Sequence, residues 1–291
     1  MTEHVRCDTQ GAQVAEMFPD QVKNKTCLIR GGLAATTGDN LAHGGAATII
    51  FTGRSQPEGQ AVIGHITRKH PKTKMIFILA DTNSLSSVYE AAKAIKALDV
   101  AIDGFIGFPS AMAAPWEITL DGIESHFQRN YLCFFLLVTQ LVGSFAPSSR
   151  VVSMTTSIRR DAPAPTWDDV NFSNGEKYHP LDAYTQSAFA NILFAKSLAQ
   201  AYPSHAAFSA NPGSEYIMSY RSIAVFSILI NTDTKTNFQT YVSSDEVCEW
   251  LQRKKDEGQE LPILLQQAPK SLAQASATVL RGLLDPTLSG K

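Results

Sequence analysis

The stretch TCLIRGGLAATTGDNLAHGGAATIIFTG, residues 26–53, shows the unit from which the fold is built. Two short apolar runs, at 26–29 and 48–52, flank a segment that begins with two glycines. Strands buried on both faces are nearly continuous in apolar residues, as these runs are. About sixteen residues separate Arg30, which follows the first run, from Ala47, which precedes the second. A crossover between parallel strands needs at least ~10–12 residues including its helix. The stretch therefore predicts a strand, an unusually short helix and a second, parallel strand.

The same alternation continues along the first 210 residues. Ser84 is placed to cap a helix whose buried face carries apolar residues at 85, 88, 92 and 95. Further helices are predicted over 122–142 and 181–202. Strands that alternate with helices indicate an α/β fold with a parallel sheet. No internal repeat or linker divides the chain, which predicts a single domain over 1–291. The predicted strands are 26–29, 48–52, 75–79, 104–108, 150–153 and 206–210.

Composition excludes several classes of protein. The chain has 291 residues, of which 44% are hydrophobic and 18% charged, with a net charge of −2. Such a sequence is too apolar to be disordered, and it lacks the basic surface of a nucleic-acid-binding protein. Its longest apolar stretch, 132–138, is too short for a membrane span, which needs about 20 residues. Cys7, Cys27, Cys133 and Cys248 show no CxxC spacing, so we expect a cytoplasmic protein without a metal site.

Polar and glycine residues follow the first three predicted strands. Gly31 and Gly32 stand at a strand-to-helix turn, where glycine lets the backbone approach a pyrophosphate, although no GxGxxG is present. Arg54 follows the second strand, where an arginine reads the 2′-phosphate of NADP(H). Asp81 follows the third strand and could accept a hydrogen bond from an adenine amino group. An ordinary turn, a solvated arginine and a capping carboxylate explain the same residues equally well from pattern alone.

A hydroxyl cluster and a tyrosine follow the fifth predicted strand. Thr155, Thr156 and Ser157 end that strand, and Tyr184 lies one helical turn before Ala188. Functional groups of an open parallel sheet gather at the carboxyl ends of its strands. These residues could polarise and protonate a carbonyl, or they could form a plain turn beside a packed tyrosine. The seven histidines show no metal-ligand spacing, and most are expected at the surface or at helix caps.

From about residue 18 onward the chain resembles the short-chain dehydrogenase/reductase family. Within that family it is most similar to the branch of retinol dehydrogenases and fungal WW-domain-oxidoreductase-like reductases. The segment YTQSAFANILFAK is the most specific part of this resemblance. The stretches that carry it are DTNSLSSV (81–88), DGIESHFQRNYL (121–132), RVVS (150–153), YTQSAFANILFAK (184–196) and NPG (211–213).

The resemblance implies a Rossmann-like, doubly wound parallel sheet flanked by helices, and it implies roles for particular residues. Tyr184 corresponds to the active-site tyrosine, Thr156 to the catalytic serine, and Asn130 to the asparagine that holds a water in the proton relay. The implied cofactor is NADP(H). The residues expected to bind it are Gly31, Gly32, Arg54, Asp81, Tyr184, Pro212 and Gly213.

The chain departs from the family pattern at three places. The lysine four residues after the tyrosine is Ala188, the later glycines of TGxxxGxG are Ala35 and Thr37, and Asn-Asn-Ala-Gly is replaced by GFPS at 107–110. A tyrosine at its ordinary pKa of about 10 is on the order of a thousandth ionised at neutral pH. Oxidation needs tyrosinate as a base, whereas reduction needs the neutral phenol, so remaining activity should favour reduction.

The expected function is NADPH-dependent reduction of a carbonyl or enone on a mid-sized apolar metabolite, in fungal secondary metabolism. A homodimer is expected because family members often pair through two helices. The alternative is a redox-inactive member that acts as a binding protein or a non-redox cyclase or isomerase.

Residues 214–234 match nothing in the family and are expected to be an atypical insertion. The last edge strand of the sheet is expected to be missing, which would leave 206–210 at the edge.

Overall fold

Six parallel strands form one sheet in the order β3-β2-β1-β4-β5-β6. The computed structural model describes residues 9–156, 163–211, 252–253, 256 and 271–288. All six predicted strands are present within one to five residues of their predicted ends, and the α/β fold with a doubly wound sheet is confirmed. The strands are β1 (Thr26–Arg30), β2 (Thr48–Gly53), β3 (Lys74–Leu79), β4 (Ile102–Gly107), β5 (Phe145–Met154) and β6 (Ala206–Ala210).

Helices connect the strands on both faces of the sheet, and the predicted short first crossover is confirmed. Its helix, α3, has only 10 residues. A π-helix over Phe127–Leu132 precedes α6, and single 3₁₀ turns lie at Val142–Ser144 and Ser173–Gly175. The α-helices are α1 (Gly11–Met17), α2 (Pro19–Val22), α3 (Ala34–His43), α4 (Gln56–Lys69), α5 (Leu85–Lys96), α6 (Cys133–Leu141), α7 (Pro180–Ala201) and α8 (Leu272–Leu284).

The helix predicted to begin at Gly122 begins after Glu124 instead. Gly122 has a φ of +77°, which no helical residue adopts. The Glu124 carboxylate accepts hydrogen bonds from the backbone N–H groups of His126 and Phe127, so it satisfies donors that the first helical turn leaves open. The sequence pattern missed this boundary because apolar residues continue through the turn that precedes the helix.

Alternating side chains of the sheet build two apolar layers. On β1, Ile29 packs in the layer beneath α3 and α8, whereas Leu28 packs in the opposite layer with α5, α6 and α7. Phe105 on β4 belongs to the second layer, where it meets Phe134 of α6 with ring centroids 5.1 Å apart. Each buried aliphatic or aromatic side chain of this kind contributes about 1.5–3 kcal/mol to folding.

The C-terminal helix α8 closes the first layer. Arg150 of β5 donates from Nε to Gly282 O at 3.0 Å and from Nη2 to Leu288 O at 3.1 Å. Asn40 of α3 donates to Ser276 Oγ at 2.9 Å. These bonds join the end of the described chain to β5 and to α3.

Two sequence predictions about the C-terminal third remain predictions. Within the described residues β6 pairs with β5 alone, but the expected insertion at 214–234 lies outside them, as does the region where a further strand would stand. The single-domain prediction likewise stays a prediction. No helix in the described ranges is both long and apolar enough to cross a membrane.

Two glycines of α4 offer a matched test of the packing between α4 and β3. A Cβ at Gly59 would lie 2.5 Å from the Phe77 ring, whereas a Cβ at Gly64 would meet nothing within 4 Å. We expect Gly59→Ala to lower the free energy of unfolding by about 1–3 kcal/mol through overpacking. Gly64→Ala should raise it by about 1 kcal/mol through helix propensity. Urea unfolding followed by circular dichroism measures both; equal effects would contradict the packing.

Candidate active site at the carboxyl edge of the sheet

The end of β5 lies against the second turn of α7. Thr155 donates from its backbone N–H to Ala210 O at 2.9 Å and from Oγ1 to Ala188 O at 3.5 Å. Thr156 follows directly and is buried, as is Tyr184, one helical turn before Ala188. The helix begins at Pro180, a residue suited to a first helical position, after His179 accepts from Leu181 N–H. The structure therefore places Thr156 and Tyr184 on elements that meet at the edge of the sheet.

Asn130 links that helix to the loop after β4. Its Oδ1 accepts from the backbone N–H groups of Ser110 and Ala111, at 2.8 and 3.1 Å. Its Nδ2 donates to Ala111 O at 2.9 Å and to Ser187 Oγ at 3.1 Å. Ser187 Oγ in turn donates to Tyr184 O at 2.7 Å. The structure thus joins Asn130 to the helix of Tyr184, and its side chain is occupied in holding protein groups.

The turn after β1 has the shape that a pyrophosphate site needs. Gly31 has a φ of +102°, and a Cβ there would lie 2.6 Å from Phe108 O, so only glycine fits. Gly32 is exposed beside it, and Leu33 provides no side-chain cap for α3. Ala34 N–H donates to Gly31 O at 3.2 Å, so the N–H groups of Ala35 and Thr36 are the ones in this first turn that an anion could accept from.

Arg54 follows β2 and Asp81 follows β3, and the two side chains differ in their hydrogen bonds. Arg54 is exposed and makes no hydrogen bond or ion pair with any described residue. Asp81 is a turn residue: its Oδ1 accepts from Asn83 N–H at 2.9 Å, and its own N–H donates to Ser87 Oγ at 2.9 Å. Binding of adenine by its carboxylate stays a prediction. Pro212 and Gly213 lie outside the described residues.

The loop that leads into α7 contains a left-handed turn. Phe172, Ser173 and Asn174 have φ values of 51°, 51° and 53°, a conformation that costs roughly 1–2 kcal/mol per residue. The Asp169 carboxylate holds this turn by accepting from the N–H and Oγ of Ser173, and these bonds lower the pKa of Asp169. Strained backbone of this kind persists where the surrounding structure fixes it, often beside functional sites.

Comparison with known proteins identifies the fold and its relatives. No protein-family model matches the chain. The chain is 30% identical over 218 residues to a WW domain-containing oxidoreductase of Drosophila melanogaster, an alignment that covers 72% of this chain and 53% of that protein. It is 32% identical over 193 residues to the short-chain dehydrogenase/reductase drtF of Aspergillus calidoustus, covering 61% and 60%. The matched region thus spans between half and three fifths of these relatives.

A solved structure agrees in fold over almost the whole chain. A short-chain dehydrogenase of Burkholderia cenocepacia in complex with NADP superposes with a TM-score of 0.62 and 19% identity, covering 93% of this chain and 95% of that one. The chain belongs to the short-chain dehydrogenase/reductase family.

Ala188 is followed on α7 by a buried asparagine, Asn191, whose role sequence reasoning did not predict. Asn191, one turn further along α7, donates from Nδ2 to the backbone oxygen of Asn130 at 3.2 Å. Asn130 lies in the π-helix, whose wider backbone turn distinguishes this point from an α-helix. Asn191 Oδ1 is buried and has no hydrogen-bond partner among the described residues. Sequence reasoning missed Asn191 because a buried asparagine on a helix has no distinctive pattern.

Arg30 is the second residue that sequence reasoning missed. Its side chain is buried and donates to Phe108 O at 2.9 Å, to Ser110 Oγ at 3.3 Å and to Arg129 O. Burial lowers the pKa of its guanidinium, and its Nε has no partner in the described part of the chain. Arg30 and Asn130 together fix the loop after β4. The GFPS sequence of that loop lacks the amide side chains of the family pattern.

The remaining substitutions change the site less. Ala35 is exposed in the first turn of α3, whereas Thr37 is buried and its Oγ1 is unpaired among the described residues.

Burial raises the pKa of the Cys133 thiol to about 11, so it stays protonated at neutral pH and is not a nucleophile. No group of three or more metal-binding side chains occurs within the described ranges.

Restoring the family lysine provides a direct test of this site. We expect Ala188→Lys to raise turnover or NADPH affinity by about tenfold or more, because the ammonium gains Asn191 Oδ1 as an acceptor and stabilises tyrosinate. Alcohol oxidation should gain more than carbonyl reduction, since only oxidation requires tyrosinate. Steady-state kinetics in both directions measure this. The control is Gln200→Lys, which adds an ammonium at an exposed position near the end of α7; equal kinetics in both variants would refute the prediction.

Proposed function

We propose that this chain is an NADPH-dependent reductase of a carbonyl or enone on a mid-sized apolar metabolite. The observation that carries the proposal is the junction of β5 and α7, where Thr156 and Tyr184 are buried on adjoining elements and Asn130 is bonded to the same helix. A hydroxyl pair at the carboxyl edge of a parallel sheet is suited to orient and protonate a substrate oxygen.

The residues at the carboxyl ends of β1 and β2 fit a dinucleotide. Gly31 and Gly32 would seat the pyrophosphate at the start of α3, because a Cβ at Gly31 would fill the turn. Arg54 would pair with the 2′-phosphate, which favours NADPH, since no carboxylate follows β2 to accept from a 2′-hydroxyl. Asp81, Tyr184, Pro212 and Gly213 complete the proposed binding residues. When bound, the reduced nicotinamide supplies the hydride.

Tyr184 and Thr156 would act on the substrate oxygen. Thr156 orients the carbonyl by donating its hydroxyl hydrogen, and Tyr184 gives its phenolic proton to the oxygen as the carbon is reduced. A water held at the Asn130 backbone oxygen would then return a proton to Tyr184 from solvent, because the Asn130 side chain is already occupied. Ala188 provides no ammonium to stabilise tyrosinate, so the proposal assigns the chain to reduction.

Exposed apolar residues support an apolar substrate and a paired assembly. Trp116 and Leu120 are exposed on the loop that precedes the π-helix, and Trp167 is exposed on the loop before α7. Phe135 and Leu193 are exposed on α6 and α7, the helices on which we propose a homodimer. A cytoplasmic setting in fungal secondary metabolism is proposed from the resemblance and from fungal relatives such as drtF.

One observation favours a second function. Asn191 already donates to the Asn130 backbone oxygen that the proton relay would use. Together with Ala188, this arrangement suits a redox-inactive protein that binds a metabolite, or a non-redox cyclase or isomerase. The two functions differ in cofactor binding, which calorimetry with NADPH measures.

Arg54 provides the test of cofactor choice. We expect the wild-type chain to bind NADPH more tightly than NADH. Arg54→Asp should weaken NADPH binding by about tenfold to a hundredfold, the range of a charge-assisted hydrogen bond, and narrow or reverse the preference. Fluorescence titration measures both affinities. Arg68→Asp, an equal change of charge at an exposed position of α4, is the control. Equal affinities for the two cofactors, or none, would contradict the assignment.

A further inference from the structure

A buried imidazole lies beside Tyr184, and the proposed mechanism does not use it. His126 and Glu124 are both completely buried at the start of the helix that carries Asn130. The His126 ring meets the Tyr184 ring at an interplanar angle of 66°, with centroids 6.4 Å apart. Aromatic pairs interact favourably in this edge-on arrangement. His126 is therefore an exception to the expectation that most histidines lie at the surface or at helix caps.

The hydrogen bonds of His126 define its protonation. Ala114 donates its backbone N–H to His126 Nε2 at 3.1 Å, so Nε2 carries no proton. The ring proton is then on Nδ1, which donates to Glu124 Oε1 at 2.8 Å. A doubly protonated ring would set an N–H group against the N–H of Ala114. The contacts therefore describe a neutral imidazole held in one orientation.

These contacts exclude a proton relay through His126. The Tyr178 hydroxyl lies 3.2 Å from His126 Nδ1, the same nitrogen that faces Glu124, and it donates to Ala114 O at 2.6 Å. A relay needs one partner on each ring nitrogen. Here both side chains share Nδ1, and a backbone N–H occupies Nε2. The hydrogen bonds of His126 therefore hold the neighbouring groups in place.

We propose that His126 is a positioning residue that sets the ring orientation of Tyr184. His126 and Tyr178 bind both backbone groups of Ala114, while Asn130 binds the backbone of Ala111, so the wall beside Tyr184 is held at two points. Position 188 is alanine, so no ammonium stands there beside the phenol. The edge-on contact with the His126 ring, which the bonds to Ala114 and Glu124 hold in place, is one of the contacts that set the orientation of Tyr184.

The consequence for catalysis rests on the proposed function. A proton donor has to lie about 2.6–3.2 Å from the oxygen that it protonates, and a misplacement of about 1 Å can lower a rate a hundredfold. A tilted Tyr184 ring should therefore lower kcat, and it should change NADPH affinity little, because the proposed contacts to the pyrophosphate and the 2′-phosphate come from Gly31, Gly32 and Arg54.

The first experiment observes Tyr184 directly and needs no activity. The chain is labelled with ¹³C-tyrosine, and the Tyr184 ring resonance is identified by its loss in Tyr184→Phe. Both His126→Leu and His126→Gln remove the imidazole ring, but glutamine can still accept from Ala114 and donate to Glu124, so His126→Leu should shift or broaden that resonance further than His126→Gln. His65→Leu, at an exposed position of α4, is the control and should leave the resonance at its wild-type position. Equal Tyr184 resonances in His126→Leu and His126→Gln overturn the proposal.

The second experiment measures kinetics with NADPH and phenanthrenequinone, an apolar diketone. We expect His126→Leu to lower kcat by about tenfold or more with little change in NADPH affinity, and His126→Gln to recover most of the loss. A parallel loss of NADPH affinity, or no recovery with glutamine, refutes a positioning role.

If His126→Leu does not fold, His126→Phe replaces it with the same expectation, since it also lacks both hydrogen bonds. A wild-type chain that neither binds NADPH nor reduces the diketone refutes the proposed function, while the resonance experiment still decides the role of His126.

Discussion

The hydrogen bonds of the Asn130 side chain hold together the three elements that form the site. The loop after β4, the π-helix and α7 share no backbone hydrogen-bond ladder, so their relative placement needs side chains. One amide group supplies acceptors for Ser110 and Ala111 and donors for Ala111 and Ser187. Loss of this amide would leave buried N–H groups unpaired, at a cost of about 1–3 kcal/mol each.

Arg30 supports the same loop from within the sheet. A buried guanidinium without a carboxylate partner is unusual, because removing a charge from water is expensive. Here the charge is distributed over the carbonyls of Phe108 and Arg129. The loop sequence GFPS offers no amide side chain to fix its own backbone, and its proline has no N–H to donate. Arg30 and Asn130, which lie outside the loop, supply the side-chain hydrogen bonds that the loop itself lacks.

Under the proposed function, the differences from the family pattern lie more at the proposed cofactor side than beside the tyrosine. Tyr184 is buried on α7, with the His126 ring edge-on to its own ring. Position 188, where the resemblance implies a lysine, is alanine, and Asn191 Oδ1 in the same helix has no hydrogen-bond partner among the described residues. A proton donor needs only an intact phenol and a fixed orientation, whereas a base needs stabilised charge. The proposed roles therefore suit Tyr184 to giving a proton rather than to taking one.

The sequence by itself determined the elements whose signal is local. Continuous apolar runs predicted all six strands, the short spacing after β1 predicted the ten-residue α3, and parallel topology predicted that residues after β1, β2 and β5 gather at one edge. The family resemblance pointed to Tyr184, Thr156 and Asn130. Only the tertiary structure decided the burial of Arg30, the pairing of Asn191 with the Asn130 carbonyl, and the orientation of His126. Each of these depends on contacts between residues far apart in the chain, and the partner of a buried polar group is set by which backbone atoms packing leaves open, which no local pattern records.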